Sequence, residues 1–172
     1  MGSTERALEK IEKLSDSSIK EIERFKGLYP NRNSAVLMVL HVVHQQFGFL
    51  DREALREAAE IMELPYIDFQ QAASFYTLFP NKPMGKYHIQ VCRTLACHLR
   101  GAEELTALLK KILGIGIGEV TNDGLFSLSE VECLGSCGTA PVMQINEIYY
   151  ENLTRARVDE ILDDLRKKAR NG

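Results

Sequence analysis

Tyr87-His88-Ile89-Gln90-Val91-Cys92-Arg93-Thr94-Leu95-Ala96-Cys97 opens with a period-two alternation and closes on two cysteines with four residues between them. That alternation predicts a strand. Beyond it, from about Leu99 to Leu113, the spacing of Leu105, Leu108, Leu109 and Ile112 predicts a helix. Thirty-five residues separate Cys97 from the second pair, Cys133-Leu134-Gly135-Ser136-Cys137. This pair follows another predicted strand, Phe126 to Val131. Val142 to Ile145 and Ile148 to Tyr150 read as a hairpin turned at Asn146-Glu147, and Val158, Ile161, Leu162 and Leu165 mark a closing helix. The order β-α-β-β-β-α implies a mixed sheet. A crossover through a helix favours a parallel neighbour, and a hairpin an antiparallel one.

Working back from Tyr87, Pro80-Asn81-Lys82-Pro83-Met84-Gly85 carries two prolines and a glycine, the punctuation of a connection. Before it the rhythm is helical. Ser17 or Ser18 is the expected cap of a first helix carrying Ile19, Ile22 and Phe25, which Gly27 and Pro30 end. Asn33 or Ser34 opens a second, with Val36, Leu37, Val39, Leu40, Val43 and Phe47 apolar and Gly48 at the expected left-handed cap. Asp51 caps a third, with Leu55, Ala58, Ala59 and Met62 inward. Pro65 suits the first turn of a fourth, carrying Ile67, Phe69, Ala72, Ala73 and Tyr76. The expected class is α+β: an extension over 1–15, a helical bundle over 16–80, a linker over 81–85 and a sheet domain over 86–172.

The chain has 172 residues, of which 45% are apolar, enough for packed cores. Its 21 lysines and arginines against 24 acids give a net charge of -3, which makes no electrostatic case for nucleic acid. No run approaches the ~20 apolar residues that span a bilayer, and the charged start MGSTERALEKIEKL is unlike a secretory leader. A cytosolic protein without direct membrane insertion is expected. In a reducing compartment, four cysteines point to metal or redox chemistry rather than to disulfides.

Two loops that each follow a strand, meeting at one edge of a sheet, bring four thiolates together. Iron-sulfur clusters are held in this way, each iron of a two-iron cluster taking two protein sulfurs. A structural zinc site also accepts four thiolates, but its ligand gaps are usually two to four residues on tight knuckles, and the first gap, of four, stands at the long end of that range and fits less well. A thioredoxin-type redox pair needs two residues between its cysteines, a spacing absent here. Gly135 and Gly138 permit close backbone approach, with amides turned towards an anion. Arg93 and Arg100 are candidates to offset cluster charge, the alternative being solvated surface cations. His98, His41, His44 and His88 are not assigned to metal. Gly114-Ile115-Gly116-Ile117-Gly118 follows a helix and leads away from it, the wrong context for a nucleotide phosphate. The chain is therefore not expected to hold its own flavin or nicotinamide. No nucleophile has a convincing base, so catalysis by the isolated chain is not expected.

Val91 to Gly101 and Glu132 to Pro141, with their paired cysteines, resemble the two cluster loops of the E-subunit family of NADH:quinone oxidoreductase, the small iron-sulfur component of respiratory complex I. Asn146 to Thr154 (NEIYYENLT) and Ala72 to Phe79 (AASFYTLF) are similar to its C-terminal and helical parts. The resemblance runs from about residue 20 to near the end. It implies a helical domain followed by a thioredoxin-like [2Fe-2S] ferredoxin domain. It further implies Cys92 and Cys97 on one iron, Cys133 and Cys137 on the other, and Pro141 where such folds often have a cis proline. The implied function is single-electron exchange with the FMN of an NADH-binding flavoprotein subunit, in a complex peripheral to the inner membrane. Relatives in NAD-linked hydrogenases and formate dehydrogenases are the alternative assemblies, and a zinc-stabilised interaction module or a free thiol-disulfide reductase the alternatives of another class.

Overall fold

The computed structural model describes residues 13–171, so most of the expected 1–15 extension lies outside the described residues. The chain divides into two compact units between Pro83 and Met84.

The first unit is helical: α1 (Asp16–Leu28), α2 (Val36–Phe47), α3 (Arg52–Met62) and α4 (Tyr66–Phe75). Ser15, not Ser17 or Ser18, caps α1, its Oγ accepting from the Ser18 amide at 3.2 Å. Ser18 is unavailable for that role because it is buried and donates to Gln46 Oε1 at 2.7 Å. Asn31 caps a 3-10 turn, Arg32–Ala35, so α2 begins later than Asn33 or Ser34. Gly48 ends α2 at φ 75°, and the Asp51 carboxylate opens α3 by accepting from the Glu53 amide at 2.7 Å. Ile22, Val39, Leu40, Val43, Ala58, Met62 and Phe69 form a core with no exposed surface. Ile67, expected inward, is 52% exposed. It lies two residues from Phe69, on the opposite side of the helix, so one helix cannot bury both.

In the second unit, β1 (Tyr87–Cys92), β2 (Phe126–Val131), β3 (Met143–Ile145) and β4 (Ile148–Tyr150) form one mixed sheet in the order β2-β1-β3-β4. β1 runs parallel to β2, with Cys92 opposite Val131, and antiparallel to β3; β3 and β4 form a hairpin. Asn146 turns that hairpin at φ 54° and ties it to the first strand. Its Oδ1 accepts from the His88 amide at 2.8 Å and its Nδ2 donates to Lys86 O at 3.0 Å. A short helix not expected from the sequence, α5 (Leu95–Leu99), precedes the one expected from about Leu99, which begins at Ala102 as α6 (Ala102–Leu113), the two parted by Gly101 at φ 95°. That left-handed residue re-aims the chain, so that α5 turns Cys97 inward while α6 buries Leu105 and Leu109. With α7 (Arg155–Asn171) these helices bury Ile89, Val91, Leu128, Met143, Val158 and Leu162. The sheet thus holds two parallel strands side by side whose ends both lead into cysteine loops.

Candidate metal centre

Cys92 is the last residue of β1, and Cys133 follows the end of its parallel neighbour β2. The register pairing Cys92 with Val131 makes both loops leave the sheet at one edge. From Cys92 the chain crosses to α5, which delivers Cys97. From Cys133 it passes Gly135 at φ 77° to the 3-10 turn Cys137–Thr139. The Ala140–Pro141 peptide that follows is cis.

The two pairs differ in burial. Cys92 and Cys97 are each 2% exposed and pack with Ala102, Ala140 and Val142, whereas Cys133 and Cys137 face solvent. Cys133 Sγ and Cys137 Sγ are 4.0 Å apart, and the two pairs lie near enough for Cys92 and Cys137 to disfavour the Cys97 thiolate.

Backbone amides are turned onto these sulfurs. Gly135 N donates to Cys133 Sγ at 3.3 Å, Thr94 Oγ1 lies 3.3 Å from Cys92 Sγ, and the amides of Thr94 and Leu134 act on the Cys92 thiol and that of Val142 on the Cys97 thiol to favour the thiolate. The Leu134 contact crosses from the second loop to a cysteine of the first. Burial pushes the Cys92 thiol up, but the hydrogen bonds from Thr94 and from the Leu134 amide outweigh it and hold the thiol below its ordinary value. For Cys97 burial wins, reinforced by Cys92, and the thiol is pushed up to about 11. Cys137 is raised by its hydrogen bond to Cys133 and by the charge there. Cys97 and Cys137 thus resist ionising beside their neighbours, and bound cations relieve that repulsion.

The chemistry of this donor set decides what it suits. Among the described residues, no group of three or more Cys, His, Asp or Glu side chains surrounds a single ion. Two pairs of thiolates suit a two-iron cluster, each pair serving one iron.

The other candidates have separate partners. Arg93, 61% exposed, pairs with Glu132 at 2.6 Å, and Arg100 Nε reaches Ala140 O at 3.4 Å. Both arginines are thereby drawn to groups other than the sulfurs. His98 Nδ1 lies 3.4 Å from Glu103, His88 Nε2 lies 2.8 Å from Ser129 Oγ, and His41 and His44 stack edge-on against Phe79. Gly138, at negative φ, has nothing within 4 Å of where a Cβ would stand, so close approach does not explain it.

Sequence reasoning missed Glu151. Its carboxylate accepts hydrogen bonds from Ser136 Oγ and, at 2.8 Å, from Thr139 Oγ1, residues of the second cysteine loop. Those two hydroxyls, Ser136 first, hold its carboxyl below the usual carboxylate range. Nothing local announces a contact made across twelve to fifteen residues of chain.

The family model of the thioredoxin-like [2Fe-2S] ferredoxins matches residues 22–166. Among curated proteins, the chain is 42% identical to the second E-type NADH-quinone oxidoreductase subunit of Rhizobium meliloti, over 88% of this chain and 90% of that one. It is 48% identical to NADH-quinone oxidoreductase subunit 2 of Thermus thermophilus, over 84% and 82%. With the E-type subunit of Rickettsia bellii it shares 46% identity over 80% and 84%. Among solved structures, a chain of an NAD+-reducing [NiFe]-hydrogenase in the air-oxidised state superposes with a TM-score of 0.65 at 28% identity. That likeness covers 75% of this chain but only 23% of the hydrogenase chain.

Proposed function

The chain belongs to the thioredoxin-like [2Fe-2S] ferredoxin family, in the group of E-type NADH-quinone oxidoreductase subunits, and from that premise we propose that Cys92, Cys97, Cys133 and Cys137 hold a single [2Fe-2S] cluster that exchanges electrons one at a time with the FMN of an NADH-binding partner subunit. Membership alone makes the chain an iron-sulfur electron-transfer subunit of a multi-subunit oxidoreductase. The observation that carries the finer reading is the pairing of the sulfurs. Each pair leaves the end of its own strand, and the strands are parallel neighbours with Cys92 in register with Val131.

A bound cluster of this type supplies one-electron redox chemistry at a potential set by its surroundings. The residues of this chain do the rest. Four thiolates bind, in two pairs. The amides of Leu134, Gly135 and Val142 stabilise negative charge on sulfur and so favour the reduced form. Ala102, Ala140 and Val142 keep water from the Cys92 and Cys97 side, while the Cys133 and Cys137 side is left open for exchange with a partner.

Purified anaerobically, the chain should carry two irons and two acid-labile sulfides. A colourless zinc protein would instead favour the interaction module, and a metal-free chain with dithiol activity the reductase. The pure, flavin-free subunit should show no NADH-dye reductase activity, which should appear on adding the flavoprotein partner. Robust NADH oxidation by the subunit alone would overturn the division of roles. The identities of 42–48% with quinone oxidoreductase subunits, against 28% with the hydrogenase chain, make the quinone-linked complex the assembly proposed. None of the described helices is long and apolar enough to cross a membrane, and the chain's place at the membrane, as part of the complex, belongs to the same proposal.

The helical unit is proposed to enlarge the partner interface. Of the aromatic residues in Phe69 to Phe79, Phe69 and Phe79 are buried in its own core, but Phe75 is 77% exposed, flanked by Leu78 and Tyr76 at 47% and 39%. A chain of residues 84–172 should keep its cluster and bind the flavoprotein at least tenfold more weakly, since stable complexes bury about 1,200–2,000 Å² and the helices would supply part of it. Equal affinity for the shortened and whole chains would remove that role.

A further inference from the structure

We propose that Glu151 is a positioning residue of the cluster: it clamps the second cysteine loop through Ser136 and Thr139, and its charge lowers the potential of the site. The inference rests on the ligand assignment above.

The Cys133–Cys137 loop is the weakly buried half of the donor set, with both cysteines facing solvent and Gly135 in the left-handed region. Burial that fixes Cys92 and Cys97 is absent there, so hydrogen bonds must fix the second pair. The loop has few of its own. Thr139 N donates to Ser136 O at 3.2 Å, and the hydroxyls of the same two residues lie 2.9 Å apart. Glu151 joins them from outside the loop, one carboxylate oxygen accepting from both hydroxyls. Its own backbone is anchored immediately afterwards. Asn152 N donates to Thr139 O at 2.7 Å and Leu153 N to Pro141 O at 3.2 Å. The clamp therefore runs both ways between the end of β4 and the loop, and Ser136, the residue before Cys137, is held directly.

The chemistry of the clamp is specific. An ionised carboxylate accepts hydrogen bonds roughly twice as strong as a neutral acceptor's. It also places a fixed negative charge beside a centre that gains one negative charge on reduction. Like charge disfavours that gain, just as it disfavours ionisation of a neighbouring carboxylate. Removing the charge makes the cluster easier to reduce, whereas removing the acceptor loosens Cys137.

The test compares Glu151→Gln with Glu151→Ala in the whole chain, because glutamine keeps an acceptor oxygen and loses the charge. Both variants should titrate at a higher midpoint potential than the parent. Glu151→Ala should lose its cluster to a chelator several-fold faster, and Glu151→Gln at a rate nearer the parent's. In the metal-free chain, amide exchange at Thr139 and Asn152 should speed up in Glu151→Ala, a readout that needs no cluster. Ser136→Ala, which removes one donor and no charge, should speed cluster loss without raising the potential as Glu151→Gln does. A parent that binds no cluster would sink the ligand assignment itself. A parent with its cluster, and Glu151 variants matching it in potential, chelation rate and amide exchange, would overturn this proposal alone. Should Glu151→Ala prove unfolded by circular dichroism, the potential of Glu151→Gln decides, an unshifted value overturning the role.

Discussion

Serine in place of any one of Cys92, Cys97, Cys133 and Cys137 is expected to destroy or strongly alter the cluster, and the two pairs should fail differently. An iron that loses a thiolate keeps a single protein ligand, and a serine hydroxyl replaces it only by giving up a proton far more reluctantly than a thiol does. At Cys92 and Cys97 the substitution is buried, among Ala102, Ala140 and Val142, where water has little access and the nearest side-chain oxygen, Thr94 Oγ1 beside Cys92, is a hydroxyl no better suited to iron than the new serine. Cys97→Ser also leaves the Val142 amide aimed at an atom that no longer carries the charge it compensates. These two variants should retain on the order of a tenth or less of parental iron, since disturbing even the groups that hydrogen-bond a metal's ligands typically costs 10–100-fold in affinity. Cys133→Ser and Cys137→Ser stand at the solvent side, where water can complete a coordination shell. They should assemble an altered cluster, visible as changed absorption and paramagnetic resonance spectra, that decays quickly in air. Iron and sulfide content, with spectra of the four variants beside the parent, checks this. Four parental spectra would end the assignment.

How much of this arrangement could be read beforehand depends on how local each signal is. Period-two alternation in Tyr87 to Val91 and the two cysteine spacings are properties of adjacent residues, and they gave the strand ends from which both loops depart. The crossover rule then gave the parallel partner of the first strand, and the hairpin rule the antiparallel pairing of β3 with β4. Three features escaped for physical reasons. Ser15, Ser17 and Ser18 are equivalent as caps until Gln46 claims Ser18, a contact across twenty-eight residues. The start at Ala102 was missed because the inward stripe begins only at Leu105 and leaves Leu99 to Ala102 unconstrained, while Gly101 at φ 95° bars the helix from reaching back to Leu99. Arg93 looked placed for the cluster because it follows Cys92, yet a side chain leaving a strand end goes to the nearest opposite charge, here Glu132 just past the paired strand. Glu151 is the same lesson reversed, a residue with no local motif whose role rests wholly on what the hairpin brings beside it.

Gly85→Ala is expected to be strongly destabilising, although the sequence offers Gly85 only as punctuation. A Cβ built there would stand 2.4 Å from the carbonyl carbon of Phe126 and 2.7 Å from the amide nitrogen of Ser127. Both are backbone atoms of β2, so no rotamer change relieves the clash. The chain is pinned on either side of the approach. Lys86 N donates to Gly124 O at 3.0 Å, Tyr87 N donates to Leu125 O at 2.8 Å, and the parallel register begins at once with Tyr87 opposite Phe126. Relief requires β1 and β2 to part at their first pairing, which strains the packing of Phe126 and Leu128, both essentially without exposed surface. Overpacking of this kind costs about 3 kcal/mol at its upper end. For a domain of this size each kcal/mol moves the melting temperature by roughly 4–8 °C, so a fall on the order of 10–20 °C is expected. Gly27 supplies the contrast. It is exposed near the end of α1, with nothing within 4 Å of the same added atom, and Gly27→Ala should be neutral or slightly stabilising because alanine is the better helix former. Because β1 and β2 both lead into the cysteine loops, the Gly85→Ala chain should also lose its cluster faster than the Gly27→Ala chain. Thermal unfolding followed by circular dichroism, with cluster absorbance recorded in the same scan, separates the two. A melting temperature for Gly85→Ala within about 2 °C of the parent would mean that β2 yields where its pairing says it cannot.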